Sequence, residues 1–192
     1  MNIKMKKILA VLLTTCALSS CSKTGTTLFI EAESFQQKGG WVIDQQSFDI
    51  MGSSYLLAHG LGIPVDDAGT TIVIPQGGNY HIMLRTRDWV APWGVEGSPG
   101  KFLLFINDEP LKTTFGNEGD LWHWQDGGSV RLKKGETELK LHDLTGFEGR
   151  CDAIILTTDP HLTPPEGRTE FDLFRKKFSG ADQFPDDAGE YD

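Results

Sequence analysis

Tyr80-His81-Ile82-Met83-Leu84-Arg85 alternates apolar residues with a period of two, so that Tyr80, Ile82 and Leu84 share one face of an extended chain. Thr137-Glu138-Leu139-Lys140-Leu141 repeats the pattern, with its leucines on one side. Outward from these two stretches, clusters of Gly, Pro, Asn and Asp cut residues 27–157 into short segments. Strands are expected over Leu28–Ala32, Gly40–Ile43, Tyr55–His59, Thr70–Ile74, Asn79–Thr86, Phe102–Ile106, Ser129–Leu132, Glu136–Leu141 and Asp152–Leu156. No long helical period interrupts them. About nine short strands punctuated by turns predict an all-β fold, an antiparallel sandwich or jelly roll, rather than an α/β enzyme.

Composition changes after Thr158. Asp159-Pro160 and Thr163-Pro164-Pro165 break regular structure, and Arg168–Phe178 then forms one short amphipathic helix with Phe171, Phe174 and Phe178 at i, i+3 and i+7. Three phenylalanines on a lone terminal helix must either dock on the sandwich or belong to an interface with another partner. The stretch Phe184–Asp192 is acidic and linker-like.

At the other end, Lys4, Lys6 and Lys7 precede an apolar run, Ile8 to Leu18, which closes on Leu18-Ser19-Ser20-Cys21. This is the pattern of a bacterial lipoprotein signal, too short to span about 30 Å of hydrocarbon as a mature helix. Cleavage after Ser20 leaves Cys21 as the lipidated first residue, so the expected location is the cell envelope, periplasmic or cell-surface, with membrane contact through the lipid anchor only. An ordinary secretory signal cut near Ser20 is the alternative. Without the three lysines the formal charge moves from −9 to −12, which argues against nucleic acid as a partner. Of the three cysteines, Cys16 leaves with the signal and Cys21 carries lipid, so Cys151 has no partner for an internal disulfide. It precedes an apolar strand and reads as a buried structural thiol. The expected organisation is a signal peptide over 1–20, a linker over 21–27, a β-sandwich over 28–158, and a linker with the short helix over 159–192.

The order of motifs resembles the carbohydrate-binding modules of families 6 and 35, which have a galactose-binding-like β-sandwich. The resemblance runs from Ile30-Glu31-Ala32-Glu33 through Gly78-Asn79-Tyr80-His81-Ile82-Met83-Leu84-Arg85 to Phe102-Leu103-Leu104-Phe105-Ile106-Asn107-Asp108. It continues through Val130-Arg131-Leu132-Lys133-Lys134-Gly135-Glu136-Thr137-Glu138-Leu139 and ends on Cys151-Asp152-Ala153-Ile154-Ile155-Leu156. It implies a structural calcium between the first and last strands, held by Glu31, Glu33 and Asp152. Two carboxylates two residues apart on a strand point the same way, and a hard cation takes several oxygens. The competing reading makes Glu31 and Glu33 the solvent face of an edge strand.

The resemblance also implies that two loops approach each other at one end of the sandwich and carry sugar-stacking aromatics. Trp89 and Trp93 lie in the first, and Trp122 and Trp124 flank His123 near the second. A pyranose offers apolar C–H faces and a rim of hydroxyls, so an aromatic plane with nearby charged groups suits it. Trp89, Trp93 and Trp124 are the candidate platform, and Arg87, Asp88, Asn117 and Asp120 the candidate polar rim. Because Trp122 and Trp124 alternate, they are expected to share a face, with one of them buried.

Other signals are poor. His59, His81, His123, His142 and His161 lack zinc spacing, and no nucleophile elbow, P-loop or dinucleotide-binding glycine fingerprint occurs. The tail Gly189-Glu190-Tyr191-Asp192 is similar to the segment before a Rossmann-type flavin domain, and the chain as a whole is similar to the N-terminal part of larger Bacteroidetes lipoproteins that are FAD-dependent oxidoreductases. That likeness implies a downstream catalytic domain lying beyond residue 192 and no FAD in this chain. Three functions follow: a non-catalytic, lipid-anchored module in glycan capture; an accessory domain whose loops and helix dock on a catalytic domain; or a polysaccharide lyase or glycosidase using carboxylates such as Asp88 and Asp120.

Overall fold

The computed structural model describes residues 25–178. The signal peptide expected over 1–20, the expected lipidation site Cys21 and the stretch from residue 179 onward lie outside the described residues. The strands are β1 (Thr27–Glu31), β2 (Trp41–Asp44), β3 (Tyr55–His59), β4 (Ala68–Ile74), β5 (Gly78–Thr86), β6 (Phe102–Ile106), β7 (Glu109–Pro110), β8 (His123–Leu132), β9 (Gly135–Asp143), β10 (Phe147–Cys151) and β11 (Ala153–Thr157). A single-turn helix α1 (Phe48–Met51) follows β2, and helix α2 (Arg168–Phe178) follows β11.

All pairings are antiparallel. One sheet has the order β1-β11-β5-β8, the facing sheet β4-β9-β6-β7, and a three-stranded sheet β10-β3-β2 extends the sandwich. The alternation in β5 decides which side is which. Tyr80, Ile82 and Leu84 enter the main core with Ile154 and Leu156 of β11, Leu104 and Phe102 of β6, and Leu139 and Leu141 of β9. Met83, between them, points out of the sandwich into a second cluster with Phe29, Ala153 and Ile155. This outer face is covered: α2 lays Phe171 on it, fully buried, and Phe174 and Phe178 pack at its margin. The helix predicted over 168–178 therefore docks on the sandwich, as one of the two fates of its phenylalanines requires.

Two strands escaped the sequence reading. β7 is two residues long, and β10 reads Phe147-Glu148-Gly149-Arg150-Cys151, with a register shift between Phe147 and Gly149 and Glu148 at φ 65°. A bulge built around a glycine and two charged residues does not alternate, so its period is invisible. β8 begins six residues earlier than expected, at His123, because Gly127-Gly128 forms a bulge inside the strand instead of a turn before it.

Candidate functional site

The aromatic loop follows β5. Arg87-Asp88-Trp89-Val90 leads into a single 3₁₀ turn, Ala91–Trp93, with Pro92 in its first turn and Gly94 closing it at φ 64°. Proline's fixed φ suits that position and glycine takes the left-handed one without strain. The loop is bolted to the segment before β8. The Asp88 amide donates to the carbonyls of Glu118 (3.0 Å) and Gly119 (2.8 Å), and the Ser98 hydroxyl donates to Asn117 O (3.1 Å) and Asp88 Oδ2 (2.7 Å). The two loops do meet.

Within this frame Trp89 stacks on Phe147 of β10, with ring centroids 6.0 Å apart and planes 11° from parallel, and its indole N–H donates to Phe147 O at 3.0 Å. The Arg150 guanidinium lies 5.3 Å from the Trp89 ring centroid. Gly100 lets the indole lie this close, because a Cβ there would stand 3.0 Å from Trp89 Cδ1 and 3.1 Å from Glu148 O. Trp93 meets Trp89 edge to face at 6.1 Å and is 69% exposed. Beside Phe147 is a hollow of about 140 Å³ lined by His59, Leu61, Gly146, Phe147 and Glu148. His59 Nδ1 lies 3.3 Å from Glu148 Oε1. Leu61 (φ 52°) and Glu148 (φ 65°) hold left-handed backbone that non-glycine residues seldom adopt, and both border this hollow. Phe147, His59, Glu148 and Arg150 were not found from the sequence; the aromatic directly after Gly146 was the available signal.

The polar rim is smaller than expected. Asp88 is buried, with Oδ1 accepting from the Val90 amide and Oδ2 from Ser98, so it shapes the loop and does not face a ligand. Asn117 Oδ1 is taken by Gln125 Nε2 at 2.9 Å. Asp120 is exposed, and Arg87 is half-buried with its Nε lacking an acceptor. Burial and the Arg150 charge pull the Arg87 guanidinium below its usual value, with Asp120 opposing them.

Trp124 lies elsewhere. In β8 it pairs with Arg85, which pairs with Ala153, which pairs with Glu31, so these four residues form one row across β8, β5, β11 and β1 on the outer face. Trp124 stacks on Phe171 of α2 and its indole N–H donates to Pro165 O at 2.8 Å. Trp122 packs instead on Tyr55, at 4.9 Å, in a third cluster with Met51 and Leu57. The two indoles thus serve different clusters instead of sharing a face, and Trp122 is the buried one.

The acidic candidates do converge. Glu31, Glu33 and Asp152 each offer a carboxylate oxygen within 4.8 Å of the others. They do so by a different route from strand alternation: Glu31 ends β1, Glu33 sits in a 3₁₀ turn (Ala32–Ser34), and Asp152 is the single residue between β10 and β11. Nor are they a solvent face, since Glu31 is 2% exposed and Asp152 fully buried. Asp152 accepts from Arg85 Nη1 and from Ser53, both at 3.0 Å, while Ser54 reaches Glu33 at 3.4 Å. Arg175 of α2 binds Glu31 Oε1 through Nε. Glu31 Oε2, Glu33 Oε2 and Arg175 Nη2 are buried without partners. Burial pushes the Glu31 carboxyl up to about 7 against the pull of Arg175, and the carboxyls of Glu33 and Asp152 also rise, chiefly through burial. Two orphaned carboxylate oxygens beside a third carboxylate are a donor set that fits a hard divalent cation.

Several solved structures share this architecture. It superposes on a family 35 carbohydrate-binding module from Clostridium thermocellum with a TM-score of 0.53 at 14% identity, covering 68% of this chain and 97% of that one. The fold is the β-sandwich of carbohydrate-binding modules. A second structure of a family 35 module from C. thermocellum gives 0.52 at 19% identity, with 68% and 98% covered. A Podospora anserina GH26-CBM35 β-(1,4)-mannanase gives 0.54 at 20% identity over 73% of this chain, which spans only 29% of that enzyme. No protein-family model matches the sequence, and no curated protein is significantly similar to it.

Proposed function

We propose that this chain is a non-catalytic carbohydrate-binding module whose ligand stacks on the aromatic loop. The observation that carries this reading is the ladder Phe147–Trp89–Trp93: two rings fixed by stacking and by an indole hydrogen bond, and a third presented to solvent. The exposed Trp93 indole offers an aromatic plane, and such a plane is suited to the C–H face of a pyranose. His59 and Glu148, which line the hollow beside Phe147, border it with donors and acceptors. The carbohydrate-binding modules among the structural neighbours support the same role. One shallow platform buries little area, so the affinity belongs in the millimolar to micromolar range. Calcium held by Glu31, Glu33 and Asp152 would act structurally, neutralising buried carboxylates. Lipidation at Cys21 would tether the module to a membrane and keep glycan near the cell. The test is migration in native gels cast with neutral and acidic polysaccharides: retardation by at least one is expected, and none by any would remove the reading.

A second reading has its own observation. Leu162, Pro164, Pro165, Leu173, Phe174 and Phe178 line an apolar hollow of about 430 Å³ beside α2, where Leu173 is 63% exposed. An accessory domain seated against a catalytic partner, such as an FAD-dependent oxidoreductase domain, would use such a surface.

A further inference from the structure

Three carboxylates and two guanidiniums meet under α2. Asp152 is already paired with Arg85, so Glu31, Glu33 and Asp152 together leave a formal charge of −2 in a buried site. Arg175 cancels one of these charges and a divalent cation would cancel both. Arg175 holds Glu31 Oε1, while its own Nη2 is buried with no acceptor. Like charges a few ångströms apart in a dry site repel strongly, so a cation on Glu31 and Arg175 in its present place oppose each other.

Arg175 is not a free surface side chain. It stands four residues after Phe171 on the same face of α2, and the Phe171 ring centroid lies 4.1 Å from the Arg85 guanidinium and 5.6 Å from that of Arg175. Phe171 also stacks on Trp124 and meets Phe29 at 6.2 Å. The acidic cluster, the guanidinium and the helix seat are therefore one contiguous unit.

We infer that Arg175 is a built-in competitor for the divalent cation at Glu31, Glu33 and Asp152, so that docking of α2 and loading of the cation weaken each other. This rests on the calcium component of the reading above but not on the glycan component. By linkage the effect is reciprocal: whatever removes Arg175 tightens the cation, and the cation loosens α2 from Phe29 and Trp124.

The experiment is calorimetric titration of calcium into chelator-treated protein at neutral pH, for the wild type, Arg175→Met and Phe171→Ala. Arg175→Met keeps the apolar stem and removes the charge, and Phe171→Ala loosens the helix and leaves the charge. Both are expected to bind calcium at least ten-fold more tightly than the wild type. In parallel, limited trypsin digestion of the unmodified chain at Arg175, Lys176 and Lys177 is expected to run several-fold faster with calcium, a readout that needs no variant. Unchanged or weaker calcium binding in Arg175→Met, calcium protection from trypsin, or no calcium binding by any of the three would overturn the inference. Glycan retardation measured on the same samples separates that failure from failure of the aromatic platform.

Discussion

Trp124 and Phe171 lie face to face, with ring centroids 5.9 Å apart and planes 10° from parallel, across 47 residues of chain. The contact joins the outer face of the sandwich to its terminal helix. Phe171 is fully buried there among Phe29, Met83 and Ile155, so Phe171→Ala should cost about 3 kcal/mol or more, as truncation of a buried aromatic does. Urea unfolding followed by tryptophan fluorescence measures it, and a loss below about 1 kcal/mol would mean that α2 is not part of the cooperative unit.

Asp88 and Trp93 separate scaffold from platform. Asp88 accepts two hydrogen bonds inside its loop, so Asp88→Ala should lower stability by about 1–3 kcal/mol through donors left unpaired. Trp93→Ala, at an exposed ring, should change stability by less than about 0.5 kcal/mol. Thermal melts of the two variants side by side test the assignment. The opposite ranking would exchange their roles.

Gly146 and Gly94 hold nearly the same backbone, at φ 66° and 64°, in different surroundings. A Cβ on Gly146 would stand 1.9 Å from Ile63 O, whereas one on Gly94 meets nothing within 4 Å. Gly94→Ala should cost about 1–2 kcal/mol of left-handed strain alone. Gly146→Ala should cost clearly more, since the Gly60 and Gly62 amides both donate to Gly146 O at 3.0 Å and the turn cannot shift freely. Equal melting shifts would contradict the packing described.

Cys151 is fully buried at the end of β10, and burial pushes its thiol well above the ordinary value. The thiolate is the reactive form, so alkylation near neutral pH should proceed only as fast as the protein opens. Mass spectrometry after iodoacetamide treatment, with and without urea, should show the adduct on Cys151 only with urea.

Much of the sandwich was legible because a buried face imposes its period on the sequence. Tyr55–His59 and Phe102–Ile106 coincide with β3 and β6, and Tyr80, Ile82 and Leu84 enter the core together. β10 was not legible, because Glu148 and Gly149 form a bulge that breaks alternation. The same strand supplies Phe147 and Arg150, so one of the three rings of the aromatic ladder was hidden with it. Trp124 reads as a loop aromatic in sequence, yet the register Arg85↔Trp124 puts it in a cross-strand row that exists only once four strands have paired. Arg175 lies 144 residues from Glu31, and no local spacing announces their meeting.

Binding of carbohydrate by the aromatic loop is the proposal on which the function rests. Its most direct test is calorimetric titration of the wild type and Trp93→Ala with the polysaccharide that most retards the protein in a native gel. Millimolar to micromolar binding by the wild type is expected, at least ten-fold weaker in Trp93→Ala at equal melting temperature. Equal affinity in the two proteins would contradict it and place the ligand elsewhere on the sandwich.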